Sequence, residues 1–377
     1  MSSYSRMYSN MFWKLAERFG AQFVTLVVSI VLARLLEPEH YGIISIVMIF
    51  ITIANVFVSD GIGSALIQKK DADEYDYASV LYFNIFVSLL LYVILYVIAP
   101  FVSGFFGDGY EILTPVLRVL GLRLILSAIN SIQQAYIAKR MLFKLFFIST
   151  SIGTVISAFV GIILAYKGAG VWALVAQYLT NTTIDTIVLA IVIRKKPKLY
   201  FSITKVKSLL RYGVGILGTN LIIAVYQELR SIIIGKKYSS QDLAFYDKGK
   251  QFPSLMVTNI NASISAVLFA QMSNDQNDIC KIKECAKNSI RYGSFVLFPL
   301  LIGMAAVADS AVEVLLTQKW LPCVVYLQIF CITYLFQPIH AANLQVIKAL
   351  GKSRLMFQLE IIKKVVELIV LLITMFI

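Results

Sequence analysis

A chain of 377 residues that is 59% hydrophobic and 15% charged, with a mean hydropathy of +0.78, carries more apolar surface than a soluble domain of that length can bury. Its net charge of +13 would suit nucleic acid in a soluble protein, but in a membrane chain Lys and Arg collect in cytoplasmic loops, so no nucleic-acid partner is expected. Cys280, Cys285, Cys323 and Cys331 stand at no ligand spacing, and His40 and His340 lie far from them, so neither a metal site nor a cofactor is expected.

Taken in order, apolar runs predict membrane helices at 12–36, 41–67, 78–102, 112–138, 145–166, 171–193, 209–234, 252–272, 289–308, 324–347 and 355–377, about eleven in all. Lipid offers no hydrogen-bond partners, so helices are the only open-ended way across. The first run is too long, and too interrupted by Glu17 and Arg18, for a cleaved signal peptide. It meets the second at the polar turn Glu37, Pro38, Glu39, His40. The second holds a single formal charge, Asp60, before a charged exit at Lys69, Lys70 and Asp71. With the amino terminus inside, about twenty basic residues fall in cytoplasmic loops, among them Lys69, Lys139, Lys205, Lys283 and Lys352; Lys167, Lys236, Lys237, Lys248, Lys250 and Lys319 fall opposite. A cytoplasmic amino terminus is therefore expected.

Between the sixth and seventh runs, Lys198 to Arg211 alternates apolar Leu199, Phe201, Ile203 and Val206 with basic Lys205, Lys207 and Arg211, the pattern of a segment lying in the headgroup layer against anionic membrane lipids. It divides the chain into an amino-terminal six-helix lobe at 1–197, an amphipathic connector at 198–208 and a carboxy-terminal lobe at 209–377. The halves echo one another. LAERFGAQF at 15–23 answers SLLRYGVGI at 208–216, SALIQ at 64–68 answers SAVLFAQ at 265–271, and INSIQQAYIAKRMLF at 129–143 answers IHAANLQVIKALGKSRLMF at 339–357. Six runs per unit make the copies parallel, with a pseudo-symmetry axis along the membrane normal. The second unit counts five runs, since the sequence ends at Ile377 with no further one.

Polar side chains are costly at membrane depth, and here they fall in helical stripes. Arg18, Gln22, Thr25 and Ser29 share a face of the first helix; Thr52, Asn55, Ser59 and Gly63 of the second; Arg123, Ser127, Asn130 and Gln134 of the fourth. Asn220, Gln227 and Ser231 do so in the seventh, Ser254, Thr258, Asn261 and Ser265 in the eighth, and Thr333, Gln337 and His340 in the tenth. Such stripes either glue helices together or line a water-accessible cleft between two lobes. The arginines favour the cleft, because a guanidinium needs water or a partner. Arg18, Arg123 and Arg230 are thus candidate contacts for an anionic, amphipathic cargo such as a diphosphate. Gln22, Asn130, Gln133, Gln134, Gln227, Asn261 and His340 are candidate hydroxyl partners. Asp60 and Glu228 are candidate ion-coupling groups or structural partners of the arginines. No catalytic residue stands out.

ARLLEPEHYG at 33–42, SDGIGSALIQKKD at 59–71, QQAYIAKRMLFK at 133–144 and GAGVWALVAQ at 168–177 resemble one family: the polysaccharide exporters of the lipopolysaccharide and O-antigen type, within the multidrug, oligosaccharidyl-lipid and polysaccharide exporter superfamily. The resemblance implies an all-α integral membrane protein of two lobes in a V, six plus five helices here, open alternately to each side. It further implies a flippase in the bacterial inner membrane that moves undecaprenyl-diphosphate-linked oligosaccharide for cell-surface polysaccharide biosynthesis, beside a polysaccharide polymerase and glycosyltransferases. A cation-coupled multidrug exporter of the same fold is the alternative, and would call for an acidic cavity. An integral-membrane glycan polymerase or acyltransferase would call for a large outer loop or a His and acid pair at the membrane face; the outer loops are short.

Overall fold

The structure, a computed structural model, describes residues 20, 22–59, 62–69, 71–193, 198–274, 278–350 and 353–376, and among these the chain is all helix and turn with no strand. It packs as two compact units, Met1–Ala244 and Phe245–Ile377. Seven helices are long and apolar enough to cross a membrane, or eight if the bent pair Cys323–Tyr334 and Gln337–Ile347 is one span. The protein is a multi-pass membrane protein.

The difference from eleven has identifiable causes. Nine residues of the run 12–36 lie outside the described residues, leaving α1 (Gln22–Leu35) too short to count as a span. The run 41–67 keeps its span in α2 (Pro38–Ser59), and α3 (Ile62–Gln68) follows residues 60 and 61, which lie outside the described residues. The run 252–272 sits in α10 (Ser240–Asn274), diluted by Ser254, Thr258, Asn259 and Asn261. The run 355–377 sits in α15 (Ser353–Phe376), which carries Glu360, Lys363, Lys364 and Glu367.

In the first unit α4 (Glu74–Phe106), α5 (Leu113–Gly121), α6 (Arg123–Arg140), α7 (Phe143–Tyr166), α8 (Val171–Ile193) and α9 (Ile203–Lys237) follow α3. Lipid is as apolar as leucine, so helices there associate through close packing and hydrogen bonds rather than by escaping water. The α7–α8 pair shows the first route. Ser149, Gly153, Ser157, Gly161 and Ala165, all buried and four apart, form one row of small residues along α7. A Cβ at Gly153 would stand 3.2 Å from the Asn181 carbonyl oxygen, and one at Gly161 3.1 Å from the Gln177 Cβ. Asn84 of α4 shows the second: its Nδ2 donates to the Val58 carbonyl of α2 at 2.9 Å.

The four sequence signatures prove to be joints. Pro38 opens α2 at the position where a missing N–H costs nothing. Gly42 meets the start of α10 so closely that a Cβ would fall 1.7 Å from the Ser240 carbonyl oxygen. Gly168 and Gly170 turn the chain between α7 and α8 with φ of +77° and +56°, and Gly170 abuts the His40 ring. Lys139 donates to the carbonyls of Leu66 and Lys69, closing the end of α3, and Met141 ends α6 in the left-handed region at φ 54°.

The segment expected as a separate connector is in part the first turns of α9, whose Val206 and Leu209 are buried, the latter packed with Ala65, Leu66, Val80 and Ile132. Lys198 and Lys205 of this segment meet acids, as does Lys69 beside them. Lys205 Nζ lies 2.7 Å from Asp73 Oδ2 and 3.2 Å from Asp76 Oδ1, Lys69 lies 2.7 Å from Asp76 Oδ2, and Lys198 lies 3.1 Å from Glu74. Asp73 also caps α4 reciprocally with Asp76. Leu199 and Ile203 remain exposed, as an interfacial segment requires.

In the second unit, the rest of α10 is followed by α11 (Ile279–Ala306), α12 (Ala308–Leu316), α13 (Cys323–Tyr334), α14 (Gln337–Ala349) and α15. Asp278 caps α11 by accepting from the Cys280 and Lys281 amides. Trp320, fully buried, packs edge-on against Phe245 with Lys248 beside its ring. Among the described residues no group of three or more His, Cys, Asp or Glu could hold a metal ion.

Candidate functional site

A cavity of about 580 Å³ opens within the first unit, walled by α2, α3, α6, α7 and α8. Its wall follows from helical periodicity. Arg123, Ser127, Asn130 and Gln134 project from one face of α6 because they are spaced four, three and four apart, and Asn55 and Ser59 of α2 and Gly63 of α3 continue the wall. From α8 come Asn181, Thr182 and Asp185, whose near approach to α7 is permitted by the small-residue row.

Arg123 stands near the middle of the 28-residue span Leu113–Arg140. A charge there costs about 3 kcal/mol unless water or a partner receives it. Its Nε donates to Thr182 Oγ1 at 3.0 Å, an Nη1 contact reaches the Met48 sulfur at 3.7 Å, and the guanidinium lies 5.5 Å from the centre of the Tyr178 ring. None of these is a carboxylate, and no ion pair of Arg123 occurs among the described residues. The positive charge therefore faces the cavity with hydrogen-bonding capacity to spare.

Across the cavity wall, Asn130 Nδ2 donates to Asp185 Oδ2 at 2.9 Å and approaches Thr186 Oγ1 at 3.4 Å, while Gln134 Nε2 donates to Asn130 Oδ1. The Ser149 hydroxyl of α7 is a second hydrogen-bonding neighbour of the Asp185 carboxylate. An arginine, an aspartate and a ring of amides and hydroxyls on a few rigid helices can bind a polar group that offers both acceptors and donors, such as a phosphorylated sugar.

Of the residues picked out by sequence, Arg123, Asn130 and Gln134 come together here. Gln133, one residue from Gln134, faces the other side of α6: its Nε2 donates to the Thr186 carbonyl at 3.2 Å, and it lines a separate groove with Tyr77, Tyr136 and Lys198. Gln22 on α1 does not line the cavity; nor do Gln227, Glu228 and Arg230 on α9, Asn261 on α10 or His340 on α14. Arg18 and Asp60 lie outside the described residues. The sequence reading passed over Asp185. Its signal is the run Asn181, Thr182, Thr183, Ile184, Asp185 within an otherwise apolar span, where positions 181, 182 and 185 share a face.

Known proteins accord with this architecture. Teichuronic acid biosynthesis protein TuaB of Bacillus subtilis (strain 168) is 26% identical over 307 residues, 81% of this chain and 63% of the relative. Succinoglycan biosynthesis transport protein ExoT of Rhizobium meliloti (strain 1021) is 24% identical over 302 residues, 80% of this chain and 60% of the relative. The chain thus spans about three fifths of the length of these two relatives. Among solved structures, the lipid II flippase MurJ in its inward closed conformation superposes with a TM-score of 0.72 at 16% identity, over 90% of this chain and 76% of that one, which establishes the fold. With residues 31–325 matching the family of polysaccharide biosynthesis proteins, the chain belongs to that family.

Proposed function

We infer that the protein is a flippase for a lipid-linked oligosaccharide, the sugar head crossing the membrane by way of a polar path while the lipid tail stays in the bilayer. The observation that carries this reading is Arg123, held at mid-membrane on a cavity wall of amides and hydroxyls without a carboxylate partner. A diphosphate offers oxygens for the free guanidinium edges, and sugar hydroxyls suit Asn130, Gln134 and Asn181. The names of the relatives, a teichuronic acid biosynthesis protein and a succinoglycan biosynthesis transport protein, support cell-surface polysaccharide as the cargo class, and the MurJ fold supports a flippase.

On this reading the lobes divide near the 198–208 connector and rock against one another in alternating access, in the inner membrane with a cytoplasmic amino terminus. Glycosyltransferases and a polymerase would supply and consume the cargo. Arg18, Arg230, Gln227, Asn261 and His340 would belong to the path outside the first-unit cavity, and Asp60 or Glu228 would serve ion coupling. Asp185 adds an acidic group to the cavity and joins Asp60 and Glu228 as a third candidate for coupling.

The test is export in cells deleted for the chromosomal copy. Arg123→Ala should lower the surface polysaccharide at least about ten-fold, the loss of one charged hydrogen-bonding partner, with the amount of protein in the membrane unchanged. Arg123→Lys should recover part of it, since an ammonium keeps the charge but not the fork. Undiminished export by Arg123→Ala would remove this cavity from the path.

A further inference from the structure

A second, strongly basic groove lies on the second unit, between α11 and α14, and the transport reading does not use it. It encloses about 600 Å³. Lys283, Lys287 and Arg291 line it from α11 and Asn343 from α14. The three cations stand four residues apart, so they form one ridge that climbs about 12 Å along the helix. None is ion-paired among the described residues; the nearby pair, Lys281 with Asp278 at 3.8 Å, involves neither the ridge nor the groove. Glu284 is one residue, and so about 100° of helix rotation, away from Lys283, and it does not line the groove. The floor is apolar: Ile282 is 2% exposed and packs with Met272, flanked by Ala286 and Val346.

Helix length sets the depth of this groove. The 28 residues of α11 rise about 42 Å, against a hydrocarbon thickness of about 30 Å. With the overhang of about 12 Å at this end, Lys283 stands in the headgroup layer, Lys287 at its edge, and Arg291, about 18 Å from the helix start, reaches back toward it because helical side chains lean toward the amino terminus. The same row continues inward to Phe295, 78% exposed, and onward to Ile302, 56% exposed. One ridge thus passes from unpaired positive charge to bare hydrocarbon-facing side chains, the profile of a molecule with a phosphate at one end and chains at the other.

We propose that the α11–α14 groove is a binding site for a resident anionic glycerophospholipid, its phosphate held by Lys283, Lys287 and Arg291 and its chains laid along Phe295. Basic pockets between membrane helices bind such headgroups, each Lys or Arg adding a free energy equivalent to roughly a five-fold gain in affinity. A soluble anion would gain nothing from the apolar floor and row. The cargo lipid is set aside because the whole groove lies on two helices of one unit, with its charge at headgroup level rather than at mid-membrane.

The experiment titrates delipidated protein in neutral detergent with phosphatidylglycerol, with phosphatidylcholine and with undecaprenyl diphosphate, counting bound lipids by native mass spectrometry. Wild type should hold phosphatidylglycerol in preference to phosphatidylcholine. K283Q, K287Q and R291Q should each weaken that adduct roughly five-fold, and the charge-conserving K283R/K287R/R291K variant should retain it. Millimolar sodium pyrophosphate should leave the adduct in place. Three outcomes each overturn the proposal: phosphatidylglycerol binding untouched by the glutamine substitutions, its displacement by pyrophosphate, which identifies a soluble-anion site, or its displacement by equimolar undecaprenyl diphosphate, which identifies a cargo site. Should a glutamine variant fail to fold, loss of the adduct in the charge-conserving variant would count equally against it.

Discussion

The first unit uses acids and bases in two opposite ways. At the start of α4, Asp73, Glu74 and Asp76 meet Lys69, Lys198 and Lys205 at 2.7–3.2 Å, with Asp76 fully buried. In the cavity, Arg123 and Asp185 line one space, yet each is bound to neutral hydroxyls and amides rather than to an opposite charge. Charges paired with one another have little to offer a ligand, and the cluster serves to pin the head of α9 to α3 and α4. Charges held only by neutral groups keep their binding capacity at a cost in stability, which is what a site does and a joint does not.

That contrast can be broken most forcefully at Asp76. Asp76→Ala strips a buried carboxylate from two lysines and should lower unfolding stability in detergent by about 2–3 kcal/mol, somewhat under the loss for a fully buried pair because both lysines are partly exposed. Export per folded molecule should be unchanged; a loss of export at normal stability would move the cluster into the machinery. Asp185→Asn tests the other side. It should reduce export roughly ten-fold, a change of about 1.4 kcal/mol in the transport barrier, while the melting temperature stays within about 2 °C. If Asp185→Asn instead unfolds the protein and spares export, the cavity is a structural seam.

The smallest effect is one of pH. The hydrogen bond from Lys205, and behind it the Asp76 amide, hold the Asp73 carboxyl at about 2, below its ordinary range, and the same contact raises Lys205. A carboxyl depressed in the folded state contributes stability above its unfolded value near 4, and that contribution fades as pH falls from there through about 2. Asp73 is half-exposed, so solvent screening limits the effect to below about 1 kcal/mol. Acid titration of unfolding should be measurably flatter for Asp73→Asn between pH 4 and 2 than for wild type, and identical curves would show the pair to be idle.

Much of this was legible residue by residue. The face Arg123, Ser127, Asn130, Gln134 lines the cavity as the spacing predicts, since helical geometry alone determines which side chains share a side. Gln133, a candidate hydroxyl partner beside that face, lines a separate groove because adjacent residues point about 100° apart. Asp185 was missed because a lone acid in an apolar run names no partner. Asn130 lies 55 positions away and meets it only once α6 and α8 are packed.

By itself the sequence determined that this chain crosses a bilayer many times and which family it resembles, because burial in lipid and backbone satisfaction are local demands that each segment meets alone. Only the tertiary structure decided which charges are spent on one another and which are kept for a ligand. Pairing depends on distances of a few ångströms between helices far apart in the chain, and those follow from small residues such as Gly153 and Gly161 that let two particular helices close.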